Sequence, residues 1–135
     1  MMFRACANGD ESILITGGMN RYGDFEKETT RLDIVDDREI AWVTLPNLSK
    51  ARFGHGCCSN GAKAFVFGGD MFADQTSSME ILSQKDRQDQ ADWNALQKWE
   101  LVTLESIPNR SSVLMACSSP SEVLILGGGS DGKKC

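Results

Sequence analysis

An all-β fold made of repeated four-stranded antiparallel units is the architecture this 135-residue sequence predicts, and three observations predict it. Three apolar runs close on paired glycines: Ile13-Leu14-Ile15-Thr16-Gly17-Gly18, Ala64-Phe65-Val66-Phe67-Gly68-Gly69 and Val123-Leu124-Ile125-Leu126-Gly127-Gly128. A turn signal precedes each run: Asn8-Gly9, Asn60-Gly61 and Ser119-Pro120-Ser121, seven or eight residues ahead of the first paired glycine. The doublets recur at intervals of 51 and 59 residues, and self-similarity at a near-constant period is the mark of a repeat architecture.

Each element follows from local chemistry. Asn-Gly between apolar runs signals a hairpin, because a type I′ turn needs positive φ at both central residues. Each doublet therefore ends the second strand of a hairpin. Between doublets a second hairpin is read, residues 30–35 with 42–45, then 77–82 with 99–104. The units run over 1–46, 47–107 and 108–135, the last holding only two strands. Their lead-ins are alike: Pro46 precedes Arg52-Phe53-Gly54-His55, and Pro108 precedes Arg110-Ser111-Ser112-Val113. The middle unit carries a polar insert, 84–98, with Trp93 and Leu96 at helical spacing, which reads either as a short surface helix or as a mobile loop.

Four short strands recurring at about 50 residues match a β-propeller blade. The Arg-x-Gly-His start at Arg52, Gly54 and His55, the doublets, and the tryptophans Trp42 and Trp99 resemble the kelch-repeat family over nearly the whole chain. The resemblance implies a kelch-type propeller segment of about two and a half blades, not closed. Gly17, Gly18, Gly68, Gly69, Gly127, Gly128, Trp42 and Trp99 are read as structural. Glycine allows positive φ and close backbone approach, and a Trp on an outer strand can pack on an adjacent blade while its N–H finds a carbonyl. Since four to eight blades close a propeller, the expectation is a segment of a longer chain, with self-association as the second source of further blades.

Composition narrows the function. A net charge of −5, with 14 Lys and Arg scattered among 19 acids, gives no phosphate-neutralising patch. Nucleic acid and membranes are not expected partners, and no apolar run nears the roughly 18 residues of a membrane helix. The first ten residues lack the apolar core of a secretory signal. Five cysteines without a C-x-x-C pair argue against a disulfide framework or structural zinc, and a cytoplasmic setting is expected.

Candidate chemistry is sparse. Residues 127–134 formally fit G-x-G-x-x-G, but a phosphate cradle needs a following helix, and Lys134 stands where a magnesium-binding Ser or Thr belongs. His55, Cys57 and Cys58 are the one cluster of imidazole and thiol ligands; on a strand, 55 and 57 share a face and 58 takes the other, which suits no tetrahedral site. No cofactor or metal is expected. Asn47-Leu48-Ser49 and Asn109-Arg110-Ser111 are formal glycosylation acceptors that matter only in a secreted protein.

Function is therefore sought on loops, where rigid scaffolds present binding residues. Residues 19–27 and 70–75, with the segments at 46–50 and 108–109, emerge on one propeller face. The resemblance implies that Arg52 and Arg110 line the central channel there and meet an acidic protein or peptide partner; the alternative is that both pair locally with acids or are simply solvated. Their guanidinium forks suit carboxylates, with Tyr22, Phe25 and Phe72 as aromatic anchors. The function expected is a non-catalytic protein-interaction scaffold. The alternative is a fragment of a kelch-propeller enzyme such as a sugar epimerase or copper oxidase, which would need clustered Tyr, His and Cys; the sequence has one Tyr and one His.

Overall fold

The computed structural model describes residues 2–9, 11–69, 76–83, 98–108 and 111–129, and every regular element among them is a strand. The first sheet runs β1 (Met2–Ala7), β2 (Ser12–Met19), β3 (Phe25–Asp36) and β4 (Glu39–Leu45), in chain order. A second repeats the meander with β5 (Gly56–Ser59), β6 (Lys63–Phe67), β7 (Thr76–Ser83) and β8 (Glu100–Pro108). β9 (Ser111–Ser119) and β10 (Glu122–Gly129) form a two-stranded hairpin. All pairings are antiparallel. The fold is all-β, with blade-like four-stranded sheets that do not close into a ring. The insert expected at 84–98 lies outside the described residues except for Lys98, as do Phe72 and Arg110. No helix among the described residues is long and apolar enough to cross a membrane.

The doublets sit where backbones converge. Gly17, Gly18, Gly68 and Gly69 all have positive φ. A β-carbon on Gly18 would lie 1.9 Å from the Met2 carbonyl oxygen, and one on Gly69 would lie 2.6 Å from both the Phe53 oxygen and the His55 nitrogen. In each sheet the second glycine thus passes beneath the start of that sheet's own first strand, where no side chain fits. Gly127 pairs with Val113 within the third hairpin.

The core lies between the first two sheets. Leu14, Leu45 and Leu48 from the first repeat and its exit loop meet Cys57, Ala64, Val66, Leu82 and Trp99 from the second, with Cys6 and Val43 packed alongside. Alternation along each strand selects these residues, since i and i+2 share a face. Three backbone bonds tie the segment after β4 and the start of the second sheet to the first: Leu48 N–H to Lys27 O at 2.8 Å, Arg52 N–H to Glu26 O at 3.2 Å and Gly18 N–H to Arg52 O at 2.8 Å.

Register makes the two tryptophans equivalent. Thr16 and Phe67 each precede a doublet; they pair with Thr29 and Met79, which pair in turn with Leu45 and Val102. Trp42 and Trp99 stand three residues before Leu45 and Val102 respectively. Trp99 is 4% exposed and donates its Nε1–H to the Pro46 carbonyl at 2.9 Å, packing on the first sheet. Trp42, at the equivalent place, is 63% exposed, on the face of β4 turned away from the second sheet. Alternation turns Val43 and Leu45 into the core and Trp42 to the opposite face, against which no described sheet packs, whereas the first sheet packs on the face of Trp99. Phe3, Ile13, Ile34 and Ile40 are likewise exposed on the first sheet, and Leu114, Leu124 and Leu126 on the third hairpin.

This asymmetry has a measurable consequence. Trp99→Ala should cost about 3–5 kcal/mol, as large-to-small changes in a core do, whereas Trp42→Ala should stay within about 1 kcal/mol. Urea unfolding followed by far-UV circular dichroism tests both. Equal losses at the two positions would contradict the packing.

Candidate functional site

Arg52 takes the local pairing with an acid and not the open channel position. Its side chain is 0% exposed, and it does not reach a partner surface. Its Nε–H donates to Glu80 Oε2 at 2.8 Å, Nη1–H to the carbonyls of Gly68 at 2.7 Å and Ser78 at 3.2 Å, and Nη2–H to Ser78 Oγ at 2.8 Å. The Ser49 and Lys50 amides donate to the same Glu80 carboxylate. A guanidinium has five donors in a fixed fork, and here they clamp the segment leading into β5 onto β7 and the doublet of the same sheet. The arginine that begins the repeat is a structural lock. Removing it strands a buried carboxylate, so Arg52→Ala should destabilise by about 3–5 kcal/mol, read as a lowered urea midpoint; a stable variant that merely loses binding would contradict the lock.

His55 is the second buried polar group of this region. Its Nε2 and Thr16 Oγ1 are hydrogen-bonded at 2.8 Å across the two sheets. Burial, then the charges of Arg52 and Arg4, lower its pKa to about 3, so the imidazole is neutral at pH 7. The unfolded histidine titrates near 6.5. Between these values the unfolded chain binds the proton and the folded chain does not, so stability is full above about 6.5 and falls as pH drops toward 3. The slope is about 1 kcal/mol per pH unit. Urea midpoints at pH 7 and pH 5.5 should show it, and His55→Gln should flatten the difference.

Around these locked residues lies an open cleft of about 420 Å³. Phe3, Arg4, Gly18, Phe53, Gly54 and His55 line it, with Met2 at its edge. β1 supplies Phe3 and Arg4, where its register with β2 shifts between Met2 and Arg4; the segment before β5 supplies Phe53 and His55. The loop between β2 and β3 emerges beside it. Asn20 Oδ1 accepts the Tyr22 and Asp24 amides at 2.8 and 3.0 Å, and Asn20 Nδ2–H donates to Glu26 at 2.8 Å. Gly23, at φ 88°, completes the turn. This local bonding holds Tyr22 outward, 73% exposed, with the Arg21 guanidinium 4.7 Å from its ring centroid. Phe25 is half-buried and stacked on Phe53 with ring centroids 5.5 Å apart, which ties the loop to the cleft.

Of the residues expected to meet a partner, the structure brings Tyr22 and Phe25 to the same end of the sheets and turns Arg52 inward. Arg4, Arg21, Phe3 and Phe53 were missed. Phe53 stands within the Arg-x-Gly-His motif and was the available signal; Arg4 lies in a strand whose alternation could have shown it. Among the described residues no three His, Cys, Asp or Glu are grouped to hold a metal ion. The arrangement offers cations and exposed aromatics around an open cleft, which suits binding of a polar or acidic ligand. No protein-family model matches the chain, and no curated protein matches it.

Proposed function

We propose that this chain is a non-catalytic protein-interaction scaffold, a kelch-like propeller segment that works in the cytoplasm. It binds an acidic protein or peptide segment at the end of the sheets where the β2–β3 loop meets the cleft. The observation that carries the reading is Tyr22, an exposed aromatic held by a fully bonded turn beside Arg21 and the Arg4 cleft. An aromatic that is pre-ordered loses little entropy on binding, and Tyr and Arg dominate interface energetics. Arg4 and Arg21 take the recognition role first expected of Arg52. The neighbouring apolar sheet faces are read as seats for further blades, from a longer chain or from another copy.

A fluorescein-labelled library of acidic peptides, screened by anisotropy, tests this reading. Tyr22→Ala should weaken a selected peptide by about 30-fold, and Arg4→Ala should weaken it while reducing its salt sensitivity. Arg52 must be left intact, since its loss would unfold the site instead of emptying it. Binding indifferent to Tyr22 and Arg4 would defeat the proposal.

A further inference from the structure

Four cysteines lie on the first strands of the three repeats: Cys6 on β1, Cys57 and Cys58 on β5 and Cys117 on β9. Alternation sends Cys57 and Cys58 to opposite faces of the second sheet. Cys57 joins the core between the first two sheets, with Cys6 packed against that core. Cys58 faces the third hairpin, and its Sγ lies 3.2 Å from that of Cys117. A sulfur–sulfur bond is about 2.05 Å long and requires close, well-directed β-carbons, so closure needs a movement of about 1 Å.

The surrounding backbone holds the two thiols together. Cys58 is paired with Phe65 in β6, and Cys117 with Val123 in β10, so each stands inside a hydrogen-bonded ladder. The strands meet through the Val113 N–H to Gly54 O bond at 3.1 Å. Gly56 has no side chain, and Met115 fills that place: a β-carbon there would lie 2.5 Å from Met115 Cγ and 3.1 Å from Val113 Cγ1. Tight packing of β9 on β5 therefore fixes the spacing of the pair.

We propose that Cys58 and Cys117 are a modification site, forming a reversible disulfide between the second sheet and the third hairpin by exchange with a low-molecular-weight disulfide. Cys117 is the half-buried member and reacts first, while Cys58 is buried. The Cys117 thiolate attacks one sulfur of the small disulfide, whose S–S bond breaks and releases one small thiolate. Cys58 then gives its proton to solvent, its sulfur attacks Sγ of Cys117, and the second small thiolate leaves. Two protein thiols are oxidised and one small disulfide is reduced to two thiols. Burial and the Cys117 contact push the Cys58 pKa up, which makes the second step the slower one. The bridge would join the third hairpin covalently to β5, and it is independent of the binding reading above.

Full-length protein incubated with oxidised glutathione, alkylated, digested and mapped by mass spectrometry tests the assignment. The peptide joining Cys58 to Cys117 should exceed any other cysteine pairing about tenfold or more, and dithiothreitol should remove it. Cys117→Ala should abolish it while leaving the far-UV spectrum unchanged; Cys117→Ser serves if the alanine variant misfolds. Cys117 recovered only as its glutathione adduct, or a bridge mapped to Cys6 and Cys57 in its place, would overturn the proposal.

Discussion

At the first two glycine doublets the chain passes so close to another backbone that a single carbon cannot be added, and the two sheets are arranged around that approach. The Gly18 position meets the carbonyl of Met2, and the Gly69 position meets the strand lead-in at Phe53 and His55. Gly17 faces the next repeat, where a β-carbon would lie 2.9 Å from the Arg52 oxygen and from the His55 ring. One doublet therefore fixes both the start of its own sheet and the contact with the sheet that follows. Residues around it are buried because backbone already fills the space, leaving only narrow channels for side chains.

Those channels are filled by polar groups bonded across the structure, although His55 Nδ1 and Thr29 Oγ1 are buried without a hydrogen-bond partner among the described residues. Arg52 reaches Glu80, Ser78 and the Gly68 carbonyl, and His55 reaches Thr16. Each bond reaches a segment distant in sequence, so the network joins strands that the ladders alone leave separate. A buried charge without a partner is costly, and this network specifies one arrangement of lead-in and sheet. Other polar side chains lie outside the network. Arg4 and Arg21 keep access to solvent or to the cleft, and the turn closed by Asn20 holds Tyr22 clear of the surface.

The repeat was legible because its signals are local. Asn-Gly turns, alternating apolar runs and double glycines act within a few residues, and they gave the β1–β2, β5–β6 and β9–β10 hairpins near their observed bounds. The outer strands were read too short, 30–35 against Phe25–Asp36 for β3, because the charged residues Glu26, Lys27 and Glu28 hide a stretch whose pairing with β2 continues to Met19. The candidate site was legible only in part. Tyr22 stands on the loop that a hairpin reading exposes and Phe25 opens the strand that follows it, whereas the fate of Arg52 depends on Glu80, 28 residues away.

By itself, the sequence determined the strand-forming segments and the turns between them, since these depend on neighbours along the chain, and it marked the doublets whose close contacts the packing then supplied. Tertiary structure alone decided that Arg52 is a lock, that Trp99 is covered while Trp42 is bare, and that Cys58 lies against Cys117. The physical reason is common to all three. A strand pattern fixes which residues share a face, but what lies opposite that face is set by packing of one sheet on the next, through contacts with no counterpart in local spacing.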